Sequence, residues 1–291
     1  GVGQAVGAQD KKKISACVGN TVTLFMSLSV VLAAVLLLCV KPIVELVSTP
    51  SDAVMGTEAY LKVCFAGIPF ITAYNIISSI FRGLGDSKSP MYFIAAACIA
   101  NIALDYLFMG ALHMGPVGAA LGTTLSQTLS VVIALAAIKV KKLGVSVRTG
   151  DLNPQKGVMG ALLRTGVPIA MQDGLIQIAF LIITVIANKR GLDDAAAVGI
   201  VEKIISFVFL VPSSMLSAVS ALCSQNIGAG KKDRAVLTLR YAVLIATGFG
   251  LIVSTVVQFC AADIVSLFTD ASTADGANVV RLGSQYFKGY I

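Results

Sequence analysis

Gln4-Ala5-Val6-Gly7-Ala8, followed by Lys11, Lys12 and Lys13, returns as Gln225-Asn226-Ile227-Gly228-Ala229, followed by Lys231, Lys232 and Arg234. Gln225 lies 221 positions after Gln4, and the same 221 positions separate Ile43-Val44-Glu45-Leu46 from Ile264-Val265-Ser266-Leu267. After a short insertion, Tyr60-Leu61-Lys62 is answered by Tyr286-Phe287-Lys288. A unit repeated at this distance is far longer than the roughly 20–50 residues of a solenoid repeat. It predicts a duplicated multi-helix unit, the plan of a two-lobed membrane transporter.

The composition names the solvent. Of 291 residues, 56% are hydrophobic and 13% charged, about half the charged share of an ordinary soluble domain. A bilayer core about 30 Å thick needs roughly 20 apolar residues in a helix. Residues 14–40, 63–81, 114–138 and 241–262 contain no charge at all. Three more windows carry isolated charges: Asp105 within 89–112, Asp173 within 165–188, and Glu202 with Lys203 within 195–230. An all-α integral membrane protein is expected, with about seven complete spans and a partial one at each end. In the second copy, residues 157–224 precede the Gln-x-x-Gly-Ala signature, and their counterpart in the first would lie upstream of Gly1, so the chain reads as a fragment. The six cysteines are scattered without paired spacing. They read as small packing residues, and neither a disulfide framework nor a metal cluster is expected.

The net charge of +7 sits in alternate loops, which speaks for topology over nucleic-acid binding. Basic residues cluster at Lys11–Lys13, at Arg82 and Lys88, across 139–156, and at Lys231–Arg234. The intervening loops hold Lys41 alone, none around His113, Lys189 and Arg190 offset by Asp193 and Asp194, and the acids Asp263, Asp270 and Asp275. The positive-inside rule makes the first set cytoplasmic. Both Gln-x-x-Gly-Ala loops then share a side, so a six-helix unit is repeated in parallel about an axis along the membrane normal. The expected organisation is an N-lobe over 1–138, a cytoplasmic linker over 139–156 that is an ordinary solvated loop, and a C-lobe over 157–291.

Asp105 lies four residues after Asn101, so the two share a helix face, and Thr123, Gln127 and Ser130 form a similar stripe on the next helix. Ionising an unpaired carboxylate in lipid costs at least about 2.5 kcal/mol. Asp105 is therefore expected to face protein or water and to bind a cation, either a sodium ion on hard oxygens or a proton on a carboxyl of raised affinity. The alternative is that Asn101 and Asp105 only hydrogen-bond neighbouring helices as packing glue. Glu202 is open to the same two readings, attraction of a cationic substrate or a bond to another helix, while Lys203 can snorkel to the interface. The glycines of Gly83-Leu84-Gly85-Asp86 and Gly228-Ala229-Gly230 do not fit a phosphate loop and predict tight turns and close helix approach. Gly118 and Gly122 have small-xxx-small spacing. Pro69 and Pro212 fall inside spans and predict bends. His113 stands alone, which excludes a histidine triad or multi-histidine site within the chain.

Phe81-Arg82-Gly83-Leu84-Gly85-Asp86-Ser87-Lys88-Ser89-Pro90, then Asn101 to Phe108, then Gly115-Pro116-Val117-Gly118-Ala119-Ala120-Leu121-Gly122-Thr123, with both Gln-x-x-Gly-Ala loops, resemble the multidrug and toxic compound extrusion (MATE) family. The resemblance runs from the end of that family's second helix to its tenth. It implies twelve helices in two lobes, a multi-pass protein of the plasma (cytoplasmic) membrane, and export of organic cations, drugs or other xenobiotics driven by sodium ions or protons. It also implies a cation site on Asn101 and Asp105 of the fifth helix and Thr123 of the sixth, with a further Asp on the first. In one branch a Glu follows the equivalent of Pro168 by about two turns; here that position falls near Ile176 or Gln177, neither acidic, with Asp173 a turn away. Asp173, Gln177, Glu202 and Gln127 are the remaining candidates for the substrate cavity or a secondary polar site. No cofactor is expected beyond the coupling ion, and no metal beyond a possible sodium; the expected partners are small-molecule substrate and membrane lipid, without nucleic acid, in a monomer. A lipid-linked oligosaccharide flippase of the related superfamily and a non-transporting receptor or scaffold are the alternatives. An enzyme is not expected, for want of a nucleophile or metal constellation.

Overall fold

The computed structural model describes residues 1–46, 51–141, 149–269 and 273–290. The helices are α1 (Val2–Gly7), α2 (Lys11–Leu38), α3 (Val40–Leu46), α4 (Ser51–Gly83), α5 (Lys88–Asp105), α6 (Gly115–Lys141), α7 (Lys156–Arg190), α8 (Leu192–Gly228), α9 (Lys232–Ser266) and α10 (Ala274–Tyr290). A π-helical turn, Tyr106–Ala111, continues α5, and a 3-10 turn, Thr149–Leu152, precedes α7. There is no strand among the described residues. Seven helices are long and apolar enough to cross a membrane, at 24 to 37 residues each. These are the seven spans read from the four charge-free windows and the three with isolated charges, with α1 and α10 as the shorter pieces at either end.

Two helix starts are held by a nearby carboxylate. The Asp10 carboxylate accepts the backbone N–H of Lys13 at 3.0 Å, and Asp86 accepts that of Ser89 at 3.0 Å, each satisfying a donor that a helix start leaves open. Pro69, Pro168 and Pro212 lie inside α4, α7 and α8, where each removes a backbone hydrogen bond.

By contacts the chain forms two units: Gly1–Leu162 with Ser224–Gly230, and Leu163–Cys223 with Lys231–Ile291. In the first, Tyr74, Ile77 and Phe81 of α4 pack on Phe93 of α5 and on Val131 and Ala134 of α6. The Phe81 and Phe93 rings meet edge to face, with centroids 5.4 Å apart, a geometry that the ring quadrupoles favour. In the second, Val201, Ile204 and Ile205 of α8 meet Val257, Ala261 and Val265 of α9 and Phe287 of α10. The repeated strings occupy equivalent places: Val44 and its counterpart Val265 are both buried. Much apolar surface remains outside these cores, and none of the most apolar stretch of α7 is buried within the protein. In a membrane protein lipid covers such faces. Cys98 and Cys260 are exposed on them, where a small apolar side chain is stable against lipid tails.

The duplicated signature explains itself within the first unit. A Cβ on Gly7 would lie 1.9 Å from the backbone oxygen of Gln225, and a Cβ on Gly228 would lie 2.0 Å from that of Gln4. Each Gln-x-x-Gly therefore presents its glycine to the other's glutamine carbonyl. The glycine Cα–H faces that oxygen, a weak polar contact available only where no side chain intervenes. The Gln225 amide also donates to the Gly83 carbonyl at 2.9 Å, which fixes the turn before α5. Gly85 and Gly230 make the expected tight turns, at φ of +92° and +74°.

Gly150 and residues 152–156 of the linker are exposed, and Asp151 is half-buried. Residues 142–148, which carry part of its basic cluster, lie outside the described residues. The rest is fastened to α2: the fully buried Asn20 donates to the Asp151 carbonyl at 3.3 Å and accepts the Gln155 N–H at 2.7 Å. Thr23 donates to the Leu152 carbonyl at 2.8 Å. A Cβ on Gly19 would lie 2.2 Å from the Asp151 carbonyl oxygen, so the turn rests against bare backbone. A polar asparagine in an uncharged span thus satisfies a loop's backbone, as burial of those groups requires.

Because overpacking typically costs about 1–3 kcal/mol, Gly228→Val and Gly7→Val should each lower the thermal unfolding temperature of the detergent-solubilised protein by several degrees. Gly230→Asn, at a position whose positive φ asparagine tolerates, should change it little.

Candidate functional site

Asp105 is the last residue of α5 and leads into the π turn, where the Leu112 N–H reaches back five residues to the Leu107 carbonyl at 2.9 Å. Such wide turns inside helices recur at functional sites. Asn101 stands one turn earlier. Among the described residues, four buried side-chain polar atoms have no hydrogen-bond partner, and two of them are Asn101 Nδ2 and Asp105 Oδ1. A donor and an acceptor one turn apart are thus buried without satisfying each other. Each such orphan costs about 1–3 kcal/mol, so the pair opposes stability unless something else binds there.

The second wall is backbone. A Cβ on Gly122 of α6 would lie 2.2 Å from Asp105 Oδ1, so only glycine lets α6 approach the carboxylate this closely. Gly118, four residues earlier, faces Phe108, with its Cβ position 3.0 Å from that of the phenylalanine. The small-xxx-small pair therefore packs α6 against both α5 and the π turn. Sequence reading found these glycines as packing elements and missed that one of them shapes the carboxylate's surroundings. The spacing signals close approach without saying to what.

Thr123 is exposed, and its hydroxyl donates to the Ala119 carbonyl of its own helix at 3.1 Å. It makes no hydrogen bond to Asn101 or Asp105 here. Ser130 of the same stripe donates to the Phe93 carbonyl at 3.2 Å and is packing glue. Gln127 between them is half-buried. The donor set brought together is the Asp105 carboxylate and the Asn101 amide beside the Gly122 backbone. Rotating the amide by 180° exchanges its nitrogen for the oxygen that a hard cation takes.

In the second unit, Asp173 and Gln177 are both exposed on α7, and the structure joins neither to another candidate. Glu202 is engaged: Thr184 of α7 donates to its carboxylate at 3.2 Å, the bond to another helix that was one of its two readings. Tyr286 of α10 lies in the electrostatic field of Glu202 and has a buried hydroxyl without a partner. Thr184 was not singled out from sequence, because an isolated Thr in a span is usually ordinary, and Tyr286 was read only as a member of the repeat. Lys203 is exposed.

The MatE family model matches residues 1–107 and 168–291. Among curated proteins, the chain is 29% identical over 275 residues to the probable multidrug resistance protein YoeA of Bacillus subtilis (strain 168), covering 92% of this chain and 59% of that protein. It is 32% identical over 232 residues to the probable multidrug resistance protein YpnP of the same strain, covering 79% of this chain and 52% of that protein. The chain thus spans between half and three-fifths of the length of these relatives. Among solved structures, a crystal structure of a MATE protein in complex with MaL6 superposes with a TM-score of 0.85 at 23% identity, over 99% of this chain and 65% of that one. A MOP superfamily transporter from Pyrococcus furiosus gives 0.86 at 23% identity, over 99% and 64%.

Asn101→Leu removes an orphaned polar group, and the protein in cation-free detergent should become more stable by about 1–3 kcal/mol, read as a higher unfolding temperature. A lower one would mean that Asn101 holds a neighbouring helix. Gly122→Ala should displace the Asp105 carboxylate and lower the unfolding temperature.

Proposed function

Since this chain belongs to the MATE family and forms a multi-pass membrane protein, we propose that it works as a secondary-active antiporter exporting organic cations, drugs or other xenobiotics. The observation that carries the reading is the orphaned pair, Asn101 Nδ2 and Asp105 Oδ1, buried within a membrane-spanning helix. A carboxyl in that setting gains most from a cation, whether sodium or a proton, because no protein group already satisfies it. Asn101 and Asp105 bind the coupling ion, with Thr123 joining when its hydroxyl leaves the Ala119 carbonyl. The lobes are 1–138 and 157–291, joined by 139–156.

Coupling follows from differential binding. An ion can shift a conformational equilibrium only by as much as its affinities for the two states differ. Asp105 sits where α-helical hydrogen bonding gives way to the π turn, so neutralising it acts on the stretch of α5 that has two registers available. That shift weakens substrate binding in the N-lobe cavity. Asp173, Gln177 and Gln127 contribute polar groups to the substrate path, and Glu202, steadied by Thr184, supplies negative potential for a cationic substrate. Drug-sized organic ions and the coupling ion are the small-molecule partners, with no cofactor and a monomer as the working unit.

Asp105→Asn should insert and fold normally yet abolish ion-driven drug efflux by full-length protein in proteoliposomes. Unchanged transport overturns the assignment. Imposing a sodium gradient at clamped pH, and then a pH gradient without sodium, identifies the coupling ion by which of the two drives efflux.

A further inference from the structure

A second site lies in the first unit, well away in sequence from Asn101 and Asp105. The first turn of α2, residues 151 and 155 of the linker and the start of α7 border an open groove of about 600 Å³, lined by Lys11, Lys12, Lys13, Ser15, Gln155 and Val158, with Ala16 and Asp151. We propose that this groove binds a phosphate-bearing anion, of the kind presented by an anionic phospholipid headgroup or by free phosphate.

Its volume falls in the range of small-molecule sites, about 300–1,000 Å³. Three lysines face it, and none of them pairs with a carboxylate among the described residues. The acids nearby are two. Asp10 spends an oxygen on the Lys13 N–H, and Asp151 lines the groove, which leaves an excess of positive charge. The Gln155 side chain adds a neutral hydrogen-bonding group of the sort that completes a phosphate site. The groove is built: Asn20, fully buried, holds Asp151 and Gln155 by the two bonds that fasten the linker to α2. It opens where a span begins, on the side that the loop charges make cytoplasmic, the depth of the headgroups. Basic pockets between helices on this face of a membrane bind anionic headgroups, and Val158 supplies an apolar wall toward the glycerol.

The test uses full-length protein in neutral detergent, with thermal unfolding as the readout and three probes: dihexanoylphosphatidylglycerol, dihexanoylphosphatidylcholine and inorganic phosphate. The phosphatidylglycerol should raise the unfolding temperature saturably, the phosphatidylcholine should not, and the effect should weaken with salt. K11Q/K12Q/K13Q should move the midpoint on the order of 100-fold higher in ligand, at about fivefold per lysine, while K11R/K12R/K13R should retain it. Val158→Glu, which places a negative charge in the groove and leaves the lysines intact, should also weaken binding and decides the matter if the glutamine variant does not fold. An equal response to inorganic phosphate at millimolar concentration identifies free phosphate as the occupant, and no such response identifies the lipid. Equal stabilisation by phosphatidylcholine, or an unmoved midpoint in both the folded glutamine variant and Val158→Glu, overturns the proposal.

Discussion

Two glycines, each set against a carbonyl of the other's helix, hold the first unit together at its basic end. Gly7 faces Gln225 and Gly228 faces Gln4, and from this contact the Gln225 amide reaches the turn at Gly83. In lipid there is no hydrophobic gain from bringing two apolar helices together, so close packing and weak polar contacts must supply the association. A glycine at the crossing maximises both. The arrangement is reciprocal, as in a symmetric dimer interface where the same patch serves both partners. A duplicated helix end that meets its own copy must be self-complementary, and one short motif then appears twice at a fixed interval.

That reciprocity explains why the architecture was legible from the chain alone. Lipid forces every backbone polar group in a span to be satisfied within its helix, so the charge-free windows mark helices without ambiguity. The Gln-x-x-Gly repeat was legible as symmetry, though its contact was not, because spacing records that two segments are alike and not that they touch. The linker's attachment to α2 was not legible for a related reason. Asn20 lies within an uncharged span and carries no distinguishing pattern, yet it binds both Asp151 and Gln155. Tertiary hydrogen bonds from one side chain to a distant backbone leave no periodicity to detect.

The candidate site divides along the same line. Asn101 and Asp105 were visible because a carboxylate in lipid needs a reason, and the four-residue interval placed the amide beside it. Thr123 was carried by resemblance, and the structure turns its hydroxyl to its own helix. Gly122 was seen as a packing residue, but its role beside the carboxylate depends on which atom of α5 lies opposite. A glycine carries no chemistry of its own; what it permits is known only when its neighbour is.

Packing and chemistry meet at Asp105. The close approach of Gly122 and Gly118 keeps α6 against α5 and the π turn, and Gly122 buries Oδ1 of the carboxylate against bare backbone. A site made by glycines is rigid on its backbone wall and unsatisfied on its polar one. On the proposed reading these groups favour the cation-bound form, because the empty form bears the cost of the orphaned atoms and the filled form does not. The π turn follows directly, a feature that recurs at functional sites. At Asp105 an intramembrane carboxylate, a bare backbone wall and a π turn coincide. That coincidence, more than the carboxylate alone, is what distinguishes Asp105 from Glu202, whose oxygen already has Thr184.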